Sequence, residues 1–247
     1  MKKFILTETT KEFSGVILYQ IKAVRAFSSI KENELGGFVE KESNLNYNDN
    51  AWISDNAQVS GNARVSDNAR ISGDARVSGN AWISDNTWVS GDAQVSGDAQ
   101  ISSNARVSDN ARISGDTWIS GNTWISGNAW ISDNARVSSN AQVSGDARVS
   151  GDARIFGDAR VSGDAMIQTS KHITWFGSVG SENGTLIAYR TKTKEIEVVR
   201  GCFRGTLAQF ETAVQYRHGN TQYGQEYLLL IQYIKLRFNF DSAFGSK

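Results

Sequence analysis

Twenty consecutive six-residue units run from Ala51 to Ser170 without an insertion or deletion, and a repeat that regular leaves few folds open. The first position of every unit is Ala or Thr, the third is Ile or Val, and the fourth is Ser except at Phe156 and Gln168. Small apolar, variable, β-branched and small polar residues thus alternate with the two-residue period of a short strand with one buried face. The closing pair, Gly-Asn, Gly-Asp or Asp-Asn in most units, is turn chemistry, because Gly and Asn enter the left-handed conformation cheaply. Each unit is one strand and one corner, and such a unit buries surface only against its neighbours, so the array predicts a solenoid.

The outward second position tells how many units make one coil. Residues one coil apart lie about 4.8 Å from each other, where like charges repel. A spacing of 18 stacks Arg on Arg once, at Arg136 and Arg154, whereas spacings of 12 and 24 do so three times and twice. At 18 residues, Asn50, Asn68, Asn86, Asn104, Asn122 and Asn140 also fall on one corner, where their amides can form a ladder. The expectation is a three-sided parallel β-helix of 18 residues per coil, in a rod roughly 30 Å long.

Composition narrows the partners. The chain has equal numbers of basic and acidic residues, 26 each, yet the array holds nine Arg, thirteen Asp and no Lys or Glu. An acidic rod lacks the clustered basic surface that non-specific nucleic-acid binding needs. One cysteine, Cys202, excludes an internal disulfide framework and a Cys-rich metal cluster. The polar stretch Thr7 to Lys11 interrupts the short apolar start, and no apolar run reaches 18 residues, so neither export nor a membrane span is expected and a cytoplasmic protein is the default reading.

The flanks read as caps. Residues 1–33 form an N-terminal β cap, with strands over Lys3 to Thr7 and Val16 to Phe27 and a turn at Ser14-Gly15. Residues 34–170 form the β-helix, its first coil being Val39 to Asn44 and Leu45 to Asn50 in a relaxed version of the same frame. Residues 171–247 form an α+β cap, with a meander over Ile173 to Val179, Thr185 to Thr191 and Glu195 to Arg200, followed by two helices. The first starts at a capping box from Thr206 to Gln209 and ends near Gly219; the second runs from about Gln222 to Leu236. Two capped ends argue against an end-to-end filament.

The array also resembles the hexapeptide-repeat proteins, in which an aliphatic residue is followed four positions later by a small one, as Val59 by Ala63 and Ile71 by Ala75. More narrowly, Leu35-Gly36-Gly37-Phe38-Val39-Glu40-Lys41-Glu42-Ser43-Asn44-Leu45 before the repeats, and Gly201-Cys202-Phe203-Arg204-Gly205-Thr206-Leu207 after them, look like a family of uncharacterised bacterial and phage repeat proteins often labelled as transferases or polymer-forming proteins. The resemblance implies a left-handed helix. It also raises acyl transfer, for which such enzymes typically place a histidine near a loop projecting from the coils and bind the acyl donor between helices of a trimer. Here no loop interrupts the units, and both histidines, His172 and His218, lie outside them.

Four candidate sites remain. Trp52, Trp82, Trp88, Trp118, Trp124 and Trp130, six of the seven tryptophans, hold outward positions. Arg70 and Arg106 lie one coil below and above Trp88, the best case for a cation–π ladder. Such faces suit a protein partner or lateral self-association into a homo-oligomer; an extended glycan is a more remote fit. Arg204, within Gly201 to Gly205, is a candidate anion site through which the tail would sequester a ligand. Cys202 and His218 are a weak thiol–imidazole pair, with the packed-cysteine reading preferred. The corner pairs Asp74–Asp92, Asp98–Asp116 and Asp146–Asp164 offer too few ligands for tight calcium binding. The leading reading is a non-enzymatic scaffold with no catalytic residues, metal or cofactor; an acyltransferase-like enzyme and ligand sequestration by the tail are the alternatives.

Overall fold

The computed structural model describes residues 2–243, with side chains through residue 239. Strands β1 (Phe4–Phe13) and β2 (Val16–Ala23) form an antiparallel hairpin, turned by Ser14 and Gly15 with φ of 51° and 78°. Strand β3 (Leu35–Val39) pairs antiparallel with β2 and parallel with Gln58–Val59 of the repeats, so the cap continues one solenoid sheet. Twenty two-residue strands, β4 to β23, follow from Trp52–Ile53 to Met166–Ile167. Strands three apart pair in parallel, as Trp88 does with Arg70 and Arg106, which fixes the coil at 18 residues. The result is three parallel faces, and the inward Ala, Ile and Val positions between them form one continuous core.

The corners show how backbone polarity is satisfied without side sheets. Each coil donates its N–H groups to carbonyls one coil on, as Trp88 to Ala105 at 3.0 Å and Ser90 to Val107 at 2.9 Å. Along one corner Asn50, Asn68, Asn86, Asn104 and Asn122 each donate from Nδ2 to Oδ1 of the next asparagine, at 2.9–3.2 Å, and Asn140 ends the ladder on Asp158 at 2.9 Å. Shorter ladders run from Asn62 through Asn80 to Asp98, and from Asn110 through Asn128 to Asp146. A carboxylate accepts but has no hydrogen to pass on, so aspartate closes each ladder.

Aspartates one residue earlier do different work. Asp55, Asp67, Asp85, Asp109 and Asp133 hold positive φ, 55–63°, where most side chains are strained. Their Oδ2 atoms accept the N–H groups of Gly73, Asp85, Ser103, Gly127 and Gly151, one coil on, at 2.8–3.3 Å. Where glycine stands instead the corners pack backbone on backbone: a Cβ on Gly61, whose φ is +64°, would lie 2.9 Å from the Gly79 carbonyl.

The first coil is out of the expected frame by two residues. Val39 pairs with Val59 and Leu45 with Val65, third positions in the repeat, so Gly37-Phe38-Val39 and Ser43-Asn44-Leu45 are the equivalent strands and Tyr47 to Asn50 absorb the excess. Gly37 takes the small inward position because a Cβ there would lie 2.6 Å from the Ala57 carbonyl. The open lower end of the core is plugged by Phe4, stacked on Tyr47 at 5.0 Å, and by Lys3. Lys3 is fully buried, yet all its hydrogens find acceptors: Asp49 Oδ1 at 2.8 Å, Asp49 O at 3.0 Å and Ala51 O at 2.7 Å. Burial pulls its ammonium below the usual lysine range, while Asp49 opposes the shift.

At the upper end, β24 (Ile173–Val179), β25 (Gly184–Arg190), β26 (Ile196–Arg200) and β27 (Phe203–Thr206) form an antiparallel sheet. Ala165 bridges Thr191, and Lys192 N donates to Asp164 O at 2.8 Å, which ties the sheet to the last coil. Helices α1 (Leu207–His218) and α2 (Gln222–Ala243) pack on the sheet through Leu207, Phe210, Val214, Tyr227, Ile231, Ile234 and Phe238. The Thr206–Gln209 capping box forms in both directions, and Gly219 ends α1.

Candidate functional site

The solenoid sets every outward side chain on one of three columns with a coil-to-coil spacing of about 4.8 Å. The Trp88 face reads Trp52, Arg70, Trp88, Arg106, Trp124, Gln142, Arg160. The Trp118 face reads Arg64, Trp82, Gln100, Trp118, Arg136, Arg154, and the Trp130 face Gln58, Arg76, Gln94, Arg112, Trp130, Arg148, Met166. No acidic residue occupies a column, so the faces are cationic and aromatic while the thirteen aspartates sit at the corners.

Five of the six outward tryptophans, Trp82, Trp88, Trp118, Trp124 and Trp130, are 43–55% exposed. The sixth is not. Trp52 is 1% exposed, covered by the N-terminal cap, and its ring meets Phe27 edge-on at 5.5 Å. It belongs to the core, and its Nε1 has no hydrogen-bond partner. The repeat frame placed it outward correctly; what the frame leaves out is that the loop after β2 folds over that coil.

The ladder around Trp88 is also arranged differently from the expected sandwich. Arg70 turns toward the cap, where its Nη2 donates to the hydroxyls of Ser28 at 2.9 Å and Ser29 at 3.3 Å. Arg106 instead lies between two indoles, 5.7 Å from the Trp88 ring and 5.9 Å from the Trp124 ring. Arg136 covers Trp118 at 5.5 Å and Arg148 covers Trp130 at 5.7 Å. A guanidinium over an indole is held by the ring quadrupole and less free to wander. Trp118, Trp124 and Trp130, from consecutive units, put one indole on each face at nearly one height.

Arg204 does not stand over an anion cradle. Residues 203–206 are a strand rather than a turn, and their backbone pairs with β26, Arg204 opposite Val199. The guanidinium is ion-paired through Nε to Glu197, and its Nη1 donates to Ser162 Oγ at 2.8 Å, so it clamps the cap to the last coil. Tyr189 shares that clamp: its hydroxyl donates to Glu197 Oε1 at 2.9 Å, and burial pushes its pKa up to about 12.

Cys202 is exposed at the β26–β27 turn, not packed in a core. With His218, Arg200, Arg217, Glu182 and Tyr227 it lines a cavity of about 180 Å³ between sheet and helices. The turn brings Cys202 back over the end of α1, where His218 lies. His172 is a buried plug residue whose Nδ1 accepts the Gln168 N–H at 3.2 Å. Of the paired corner carboxylates, Asp98 and Asp146 are already taken as ladder ends. Among the described residues no group of three or more His, Cys, Asp or Glu is placed to hold a metal ion, and no helix is long and apolar enough to cross a membrane.

A sequence profile described as the YdcK beta solenoid repeat matches residues 57–73, 69–85, 105–121, 129–145, 141–155 and 153–167. All six stretches lie within the solenoid, so the likeness supports a β-solenoid repeat protein and is silent on chemistry. No curated protein matches the chain.

Proposed function

We propose that this β-solenoid is a non-enzymatic scaffold that binds protein through its Trp/Arg faces, either a partner or a further copy of itself. The observation that carries this reading is the set of five half-exposed indoles fixed in register on rigid strands. Exposed tryptophan is costly in water, and Trp and Arg are the side chains that concentrate binding energy at protein interfaces. Coil-to-coil backbone hydrogen bonds fix the strands that carry these groups before any partner arrives, which lowers the entropic cost of association. Every connection between adjacent solenoid strands is a tight corner, with no projecting loop to carry a base, which favours binding over acyl transfer.

Replacing Trp88, Trp124 and Trp130 together by alanine tests the reading. The expected outcome is an unchanged far-UV spectrum with loss of self-association and of partner capture; unchanged oligomeric state and capture would overturn it. A second reading rests on the cavity lined by Cys202, His218 and the two arginines, which suits a small anionic ligand held by the C-terminal domain. A rise in melting temperature with inorganic phosphate, abolished by Arg217→Ala, would support that role.

A further inference from the structure

The Trp88 face is the only one of the three columns in which Arg and Trp alternate over four consecutive coils: Arg70, Trp88, Arg106, Trp124. On the Trp118 face Gln100 interrupts the alternation, and the Trp130 face has one indole. An alternating column of even length is complementary to its own reverse. A two-fold axis lying in the plane of the interface, across the rod and midway between the coils of Trp88 and Arg106, sets Arg70 against Trp124 of a second copy and Trp88 against Arg106. The same two pairings recur on the other side of the axis, as an isologous interface requires. Among the antiparallel registers this one alone opposes all four residues with their opposites. The flanking coils agree: the coil of Trp52, covered by the cap, comes to face the uncharged Gln142.

From these alternating residues we infer that the Trp88 face is a homodimer interface, with two rods packed antiparallel and Trp88 and Trp124 seated against Arg106 and Arg70 of the second copy. The inference rests on the scaffold reading and names the partner for one face. Arg106 already lies between its two indoles, and Arg70 is held by Ser28 and Ser29, so both guanidiniums are positioned in the free chain. Trp88 and Trp124 remain 55% and 49% exposed beside them. The four open coils from Arg70 to Trp124 face each other, a strip of about 19 Å by 17 Å from the strand spacings that buries roughly 650 Å² in total, the size of a weak, transient contact. A dissociable dimer follows, with cation–π contacts setting its register.

Sedimentation equilibrium of the full chain, from low to high micromolar, tests it. The wild type should be a dimer. Trp88→Arg sets a new guanidinium against Arg106 of the second copy at two symmetric places and should weaken the dimer on the order of tenfold or more. Trp118→Arg, on the neighbouring face, should leave it intact. Mixing Trp88→Arg with Arg106→Trp restores an Arg–Trp pair at both places, so the mixture should dimerise where Trp88→Arg alone does not. Trp88→Gln, a side chain the same column holds at Gln142, gives a second disrupting variant should Trp88→Arg fail to fold. A monomeric wild type, a Trp88→Arg dimer of wild-type strength, or a mixture no stronger than its parts would overturn the dimer. In the first case, loss of another partner in the Trp→Ala variant would leave the broader scaffold reading standing.

Discussion

At the scale of single residues, the corners are organised by which side chain can donate. Asparagine passes a hydrogen bond along the rod and aspartate ends the chain of donors. Asn104→Asp should therefore break the ladder in its middle, removing the donor to Asn122, at a cost of about 1 kcal/mol in urea unfolding. The loss should shrink below about pH 4, where a protonated carboxyl can donate again. Three inward positions hold threonine in place of alanine, and they differ in a testable way. Thr87 Oγ1 donates to Ser84 O at 2.7 Å, whereas Thr117 and Thr123 Oγ1 are buried without partners. Valine at Thr117 or Thr123 should raise stability by roughly 1 kcal/mol, and Thr87→Val should not, as read by chemical denaturation. The Asn ladder was legible in the sequence because identical residues recur at the coil spacing. The amide-binding role of Asp55 and its equivalents was not, since left-handed backbone at Asp is set by the corner and the acceptor lies 18 residues from its donor.

Among the elements, those with strict periodicity were legible and those decided by tertiary contact were not. Strand length, face and register of the solenoid follow from the inward Ala and Ile or Val, and the α1 cap from Thr206 and Gln209. The first coil misled because Val39 and Leu45 sit six residues apart, as the repeat demands, while the small-x-aliphatic phrase that marks true frame is Gly37-Phe38-Val39 and Ser43-Asn44-Leu45. The strand Phe203–Thr206 was hidden by Gly201 just before it and Gly205 within it, both of which read as turn residues. That strand carries Arg204 into the clamp with Glu197, Tyr189 and Ser162. The clamp should show in the alkaline limb of stability. The folded pKa of Tyr189, about 12, lies above the usual value near 10, so its contribution is whole below pH 10 and lost as pH rises toward 12. Tyr189→Phe should remove that loss, on the order of 2–3 kcal/mol across the window, in denaturant titrations at about pH 9 and pH 12.

As a whole, the molecule is a three-sided rod with unlike sides. The corner between the two faces richest in tryptophan carries the neutral Asn ladder, flanked by Trp82 and Trp118 on one side and Trp88 and Trp124 on the other. Most of the aspartates lie at the other two corners, beside the Trp130 face. The equal numbers of acid and base thus conceal a segregated surface, cationic on the faces and anionic at the corners. That segregation was readable once the coil spacing was known. The cover over Trp52 was not, because it depends on where the loop between β2 and β3 lands. Hydroxyl-radical footprinting of the six outward tryptophans in the native particle addresses the interaction faces most directly. Trp52 should be inert as core, and Trp88 and Trp124 should be protected at high protein concentration and oxidise readily on dilution, with Trp82 and Trp118 as an internal reference. Equal and rapid oxidation of all five exposed indoles at every concentration, with no partner that slows it, would contradict an interaction role for these faces.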